Sequence, residues 1–249
     1  MQRYFVDSTQ IGPDWLTVRG DDVHHIKNVM RMRAGDRLLC CDSKGTDYLA
    51  ELESVSEGEA QCRILETLPS RGEPRIRVDV AASLTKGDKW EWVLQKGTEL
   101  GAASFLPFTS ARTVVKLDGK KASKKKERWQ RIAKEAAEQS QRGQIPRVET
   151  VMDWRSLLER FHAYDRVLFA YEKGGRPLGE VLQETAAGDA MLVVIGPEGG
   201  FTETEKNEAV AAGAVSIHLG PRILRAETAP LALLSCIHYS YGEMGGEPL

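Results

Sequence analysis

Ile195-Gly196-Pro197-Glu198-Gly199-Gly200-Phe201 and, further on, Leu219-Gly220-Pro221-Arg222-Ile223-Leu224-Arg225 are the two stretches that decide the fold. Each follows an apolar run, residues 191–195 and 215–219, that reads as a buried strand. Behind the first, Thr202-Glu203-Thr204-Glu205 has the form of a capping box: the Thr202 hydroxyl can accept from the third helical N–H while Glu205 reaches back. The first loop therefore sits between a strand end and a helix start, where bare backbone N–H groups can meet a ligand. A glycine pair before a helix is often only a tight turn. Two such loops at the C-terminal ends of strands mark the edge at which open α/β sheets bind ligands.

Working outward, residues 76–84, 104–108, 147–150 and 167–171 also read as strands, with helical stretches between them. That alternation predicts a mainly parallel sheet covered on both faces. A helix over 124–141 puts Trp129, Ile132, Ala133, Ala136 and Ala137 on one side and basic groups on the other. The turn after the first of these strands, Thr85-Lys86-Gly87-Asp88, has one glycine, and no Walker A sequence occurs. The missing early glycine fingerprint argues against a dinucleotide oxidoreductase, and the missing Walker A against a P-loop nucleotide site. Toward the N-terminus the period changes. Residues 37–41, 48–55 and 60–65 read as short strands joined by turns, with a short helix over 21–33 ahead of them, which predicts a small β-barrel or curled sheet. Pro69-Ser70-Arg71-Gly72-Glu73-Pro74 breaks both periods, so the expected domains are 1–70 and 75–249.

Composition narrows the class. The 249 residues carry 34 basic and 36 acidic groups, a net charge of −2, and no apolar run approaches the roughly 20 residues of a membrane span. The opening Met1-Gln2-Arg3-Tyr4-Phe5-Val6 lacks the apolar core of a signal peptide, so a cytoplasmic protein is expected. Cys40, Cys41, Cys62 and Cys236 have no C-x-x-C spacing, which excludes a zinc ribbon and a disulfide scaffold; no metal is expected. Charge is unevenly spread. Between Arg112 and Lys134 lie ten basic residues, Lys120, Lys121, Lys124, Lys125 and Lys126 among them, against Asp118 and Glu127. Such a stripe is either a solvated face or a surface that tracks phosphates. His24, His25, Lys27, Arg31 and Arg33 form a second basic group.

In the second loop Arg222, Arg225, Glu227 and Thr228 stand among Pro221, Ile223, Leu224 and Ala226, and polar groups in an apolar setting need partners. Pro230 suits the first turn of a helix, with Thr228 as its cap. That helix carries Leu231, Leu234, Ile237, Tyr239 and Tyr241, more apolar surface than one sheet face readily covers, which points to a homodimer. His238 reads as a core or interface histidine.

At these residues the sequence resembles the SPOUT class of S-adenosylmethionine-dependent RNA methyltransferases, specifically the bacterial 16S rRNA uridine N(3)-methyltransferase family. The likeness extends from the two loops to His24-His25-Ile26-Lys27-Asn28-Val29-Met30-Arg31, Lys86-Gly87-Asp88-Lys89-Trp90-Glu91-Trp92, Lys96-Gly97-Thr98-Glu99-Leu100-Gly101 and Glu135-Ala136-Ala137-Glu138-Gln139-Ser140-Gln141-Arg142. It implies an α/β fold: a C-terminal trefoil-knot domain with a mainly parallel sheet and an N-terminal PUA-like β-barrel that binds RNA. It also implies a homodimer acting on one uridine of 16S rRNA in the small ribosomal subunit. On that reading the cofactor lies against Ile195, Gly196, Gly200, Leu219, Gly220, Ile223, Leu224, Thr228 and Ala229, with the adenine between Ile223 and Leu224. RNA is held by His25, Lys27, Arg31, Arg33, the five lysines Lys120, Lys121, Lys124, Lys125 and Lys126, and Arg142. Uridine N(3)–H is weakly acidic, so a cation near O2 or O4 would stabilise the anion left as the proton departs, and Arg225 is the first candidate. Glu227 would orient that cation, act as the base, or simply pair with Arg222 or Arg225. The rival reading is a non-catalytic RNA-binding adaptor in ribosome assembly, which would bind RNA without taking up S-adenosylmethionine.

Overall fold

A computed structural model describes residues 1–115, 119–186 and 188–245. The chain divides into two compact units, residues 1–73 with 137–145, and residues 74–136 with 146–249.

The first unit is built on strands β1 (Arg3–Phe5), β2 (Trp15–Arg19), β3 (Arg37–Cys41), β4 (Thr46–Val55) and β5 (Glu59–Pro69), with the one-turn helix α1 (Asp21–His24) running into a π-turn over His25–Val29. The sheet order is β1-β3-β4-β5-β2. β1 joins β3 in parallel and the other pairs are antiparallel. The β4–β5 ladder shifts register between Leu49 and Ala50 and again between Leu52 and Ser54. Such irregularities bend a strand and sharpen its twist, so the sheet curls over its own core of Tyr4, Leu16, Val18, Ile26, Leu38, Cys40 and Leu52. β1 and β2 were not foreseen. β1 opens with a charge, but Arg3 is buried and donates to both carboxylate oxygens of Asp47, at 2.9 and 2.6 Å.

The expectation of an unbroken domain over 75–249 needs correcting, because residues 137–145 complete the first unit. The assignment of Arg142 to RNA binding falls with it. Its side chain is only 4% exposed; Nε and Nη2 donate to Glu73 at 3.1 and 2.6 Å. The same carboxylate accepts from the backbone N–H groups of Gly143 and Gln144. A guanidinium so enclosed has no face to offer a phosphate.

The second unit runs β6 (Val78–Ser83), α2 (Lys89–Glu99), β7 (Ser104–Thr109), α3 (Gly119–Gln139, whose last turn belongs to the first unit), β8 (Arg147–Val148), β9 (Met152–Asp153), α4 (Trp154–Leu158), β10 (Arg166–Ala170), β11 (Arg176–Pro177), α5 (Leu178–Gln183), β12 (Met191–Ile195), α6 (Glu203–Ala211), β13 (Val215–His218) and α7 (Ala229–Ser240). All pairings in this sheet are parallel, in the order β11-β13-β10-β12-β6-β7-β8, with β9 pairing the C-terminal end of β7. Alternation sorts the side chains onto two faces. Val78, Val80, Val193 and Ile195 pack with Trp90, Val93 and Leu94 of α2, Trp129 of α3, and Leu233, Leu234 and Ile237 of α7. On the other face Ala81, Leu192, Val194 and Phe169 meet Phe161, Phe201 and Leu157. β12 is buried along its whole length, as a parallel strand covered on both sides must be. No helix among the described residues is long and apolar enough to cross a membrane.

Candidate active site

Where β12 leaves the sheet, Gly196 and Pro197 remain buried and the chain turns back, the Gly200 N–H donating to the Pro197 carbonyl at 2.8 Å. Gly200 has φ +65°, the left-handed region that glycine enters without strain. A Cβ there would stand 2.7 Å from Glu172 Oε1. The capping box is present: Glu205 Oε2 accepts from the Thr202 N–H and hydroxyl at 2.8 and 3.0 Å, and the Thr202 hydroxyl accepts from the Glu205 N–H at 3.1 Å. Glu205 Oε1 takes the Ala111 N–H, and Arg112 donates to the Gly199 carbonyl at 2.7 Å. Arg112, counted with the basic stripe, thus holds the first loop.

The second loop leaves β13 through Gly220, whose N–H donates to His218 Nδ1 at 3.2 Å. It ends where the Arg225 carbonyl accepts from the Thr228 and Ala229 N–H groups, starting α7. Pro230 sits in the first turn, as expected. Thr228 occupies the cap position, but its backbone is already helical and its side chain makes no capping bond, which corrects the expected cap.

The two loops wall a cavity of about 480 Å³. Ile195, Gly196, Gly200, Leu219, Gly220, Ile223, Leu224, Arg225 and Ala229 line it; Thr228 and Glu227 do not. Ile223 is 83% exposed and stands on the rim. Glu227 pairs neither with Arg222 nor with Arg225. Its Oε2 lies 3.6 Å from Lys89 Nζ, buried and without a hydrogen bond among the described residues. Lys89 also lines the cavity and donates to Glu198 Oε1 at 3.2 Å. Burial alone would raise the Glu198 carboxyl, but its own backbone N–H, the Lys89 ammonium and the Lys86 backbone together hold it below the ordinary glutamate value. Lys89, Glu172 and Glu198 are wall residues that sequence reasoning passed over. The signal for Lys89 was its position, at the start of α2 just past the turn after β6, at the same sheet edge as both loops.

The basic groups are distributed over both units. In the first, Lys27, Arg31 and Arg33 are exposed, with Val29 and Met30 exposed between them. His25 is half-buried, its Nδ1 within 3.0 Å of the Tyr4 hydroxyl, which burial keeps un-ionised by pushing its pKa up. In the second, Lys121, Lys124 and Lys125 are exposed on α3, Lys126 is half-buried, and Lys125 Nζ stands 5.9 Å from the Trp129 ring centroid. The Lys120 side chain, with Lys116 and Asp118, lies outside the described residues. Arg128 is paired with Glu91 at 2.7 Å.

Comparison with known proteins adds two family matches, an RNA methyltransferase domain over residues 72–238 and an RNA methyltransferase PUA domain over residues 18–65. The chain is 45% identical to the ribosomal RNA small subunit methyltransferase E of Bacillus subtilis (strain 168), over 99% of this chain and 100% of that one. It is 34% identical to the protein of the same name from Synechocystis sp., over 95% and 77% of the two chains. The crystal structure of a ribosomal RNA small subunit methyltransferase E from Neisseria gonorrhoeae bound to S-adenosyl methionine superposes with a TM-score of 0.86, at 30% identity and 96% and 97% coverage.

Proposed function

The chain belongs to the ribosomal RNA small subunit methyltransferase E family, and from that premise we propose that the cavity between its two glycine loops is where S-adenosylmethionine and a uracil base meet. The protein is an S-adenosylmethionine-dependent 16S rRNA (uracil-N(3)-)-methyltransferase of the SPOUT class, with a PUA-like first unit. The observation that carries the site assignment is the convergence of both loops on one cavity. Its lining fits the cofactor. Ile195, Leu219, Leu224 and Ala229 give apolar walls for an adenine, Gly196 and Gly200 let backbone approach closely, and the Glu172 carboxylate is placed for hydroxyl groups. Bound there, the cofactor supplies an electrophilic methyl carbon.

The protein must then align the acceptor nitrogen in line with that carbon and help its proton leave. Arg225 lines the cavity and has no ion pair among the described residues, so its guanidinium is available to a uracil carbonyl oxygen. Glu227 stands behind Lys89, where it orients a cation rather than meeting the base. A stacked base cannot enter a cavity of this kind, so the uridine is taken out of the stack. Lys27, Arg31 and Arg33 of the first unit, and Lys121 and Lys124–Lys126 of α3, hold the flanking backbone.

The protein acts as a homodimer in the cytoplasm, where its substrate is assembled. The surface for a second copy is smaller than the helix composition suggested. Leu234 and Ile237 are buried within the chain, and the Tyr241 hydroxyl donates to the carbonyls of Leu182 and Thr185. Leu231, half-buried, and Cys236 and Tyr239, exposed, remain for the partner.

The test is incubation with undermodified small ribosomal subunits and S-adenosylmethionine labelled in the methyl group. Label should enter 16S rRNA at one uridine, and reverse transcription should stop there because N(3) methylation blocks the Watson–Crick edge. RNA binding without label transfer would make the protein an adaptor instead.

A further inference from the structure

Three cations, Lys89, Arg222 and Arg225, line the cavity, and among the described residues only Lys89 is held. It opens α2, directly after the turn that follows β6, and its ammonium lies 3.2 Å from Glu198 of the first loop and 3.6 Å from Glu227 just past the second. The first contact is a hydrogen bond; the second is an ion pair beyond hydrogen-bond reach. An ammonium has three N–H donors, so two remain for other partners. Among the described residues Glu227 Oε2 is buried with no hydrogen bond, a costly state for a carboxylate unless a nearby charge compensates it. The cation beside it supplies that charge.

We propose that Lys89 is a catalytic residue of the methyl transfer, donating from its ammonium to one carbonyl oxygen of the target uracil while Glu198 and Glu227 fix it in place. This rests on the methyltransferase reading above and adds a residue to it. When the N(3)–H proton passes to solvent, the negative charge spreads over N(3), O2 and O4. The N(3) electron pair then forms the new N–C bond as the C–S bond breaks, its electrons remaining on sulfur. Two carbonyl oxygens flank N(3), and two cations, Lys89 and Arg225, can serve them. A donor already fixed before the reaction need not reorganise as charge develops, which favours Lys89 over a cation free to move. The carboxylates have a second effect. A bare ammonium would be repelled by the positive sulfonium of the cofactor, and two flanking negative charges offset that repulsion.

The test compares Lys89→Met and Lys89→Arg with the wild type, at saturating S-adenosylmethionine and small subunits, across a pH series. Lys89→Met should remain folded, with a lowered unfolding temperature because Glu227 loses the cation that compensates it, and should bind S-adenosylmethionine in calorimetry no more weakly than the wild type does. Its kcat should fall by about 10²-fold near neutral pH, the usual effect of losing one charge-stabilising donor. The deficit should narrow as pH rises toward the range in which a uracil imide ionises unaided, which a packing defect would not do. Lys89→Arg should retain most of the activity. The proposal is overturned by a folded Lys89→Met with full kcat, by a deficit equal at every pH, or by a loss that resides in cofactor affinity. If the wild type itself transfers no methyl group, the methyltransferase reading fails instead, so the two failures are separable.

Discussion

Gly200 and Arg225 test opposite ends of the site. A leucine at Gly200 would have to adopt φ +65° and push the Glu172 carboxylate aside, since its Cβ would fall 2.7 Å from Oε1. The left-handed backbone costs about 1–2 kcal/mol, which a folded domain withstands, but the Glu172 carboxylate already lines the cavity and would be displaced within it. Gly200→Leu should remain folded and lose S-adenosylmethionine binding by at least tenfold in calorimetry; unchanged affinity would move the cofactor elsewhere. Arg225→Ala should bind cofactor and RNA normally and turn over more slowly, because a contact made as charge develops is read in kcat. Single-turnover methylation of bound subunits checks this, and a wild-type rate would leave Lys89 as the sole cation proposed for the uracil oxygens. Lys89 itself shows why part of the site was illegible. The turn after β6 was judged by its glycines, whereas the side chain just past it that reaches the cavity, Lys89, has its partners Glu198 and Glu227 more than a hundred positions away. Arg142 misled in the opposite direction: the resemblance assigned it to RNA, whereas its guanidinium is enclosed by Glu73.

Among the elements, the α3 lysines make the clearest claim. Replacing Lys121, Lys124, Lys125 and Lys126 with Ala should weaken binding to small subunits and flatten its salt dependence by about 0.7–0.9 log units per lost phosphate contact, with cofactor affinity unchanged. Full affinity and an unchanged slope would make the stripe a solvated face and leave recognition to the first unit. The segment after α3 tests stability. Arg142→Ala would strand the Glu73 carboxylate, and since that group is partly exposed the cost should be toward the lower end of a broken buried pair, about 3 kcal/mol in urea unfolding of the full chain. Loss of under about 1 kcal/mol would mean that Gly143 and Gln144 hold the segment without it. The central strands of the second unit were plain in the sequence because both faces are buried and the apolar runs are continuous; β12 runs over the residues expected. β9 and β11 were not, having two residues each, too few for any period. Nor could periodicity reveal the strand order, which depends on contacts distant along the chain.

For the whole molecule the decisive quantity is its mass in solution. Leu231, Cys236 and Tyr239 lie along one helix and are left partly or wholly uncovered by the chain itself. Light scattering at micromolar concentration should give twice the 27.6 kDa of one chain, and Tyr239→Asp should shift the population toward monomer. A wild-type monomer would leave the exposed tyrosine without this explanation.

The Arg142–Glu73 pair also sets a clock. Its partners are 69 residues apart, with most of a second fold's opening strands and helices between them. A ribosome adding about 5–20 residues per second finishes Glu73 several seconds before it delivers Arg142. Throughout that interval the residues of β1–β5 have been synthesised without the segment that completes their unit, and the Cys41 thiol still lacks the Gly143 carbonyl that it will meet at 3.1 Å. Completion of the first unit is therefore tied to synthesis of residues 137–145, so a gene fragment cut at the linker would yield a sheet waiting for a missing piece.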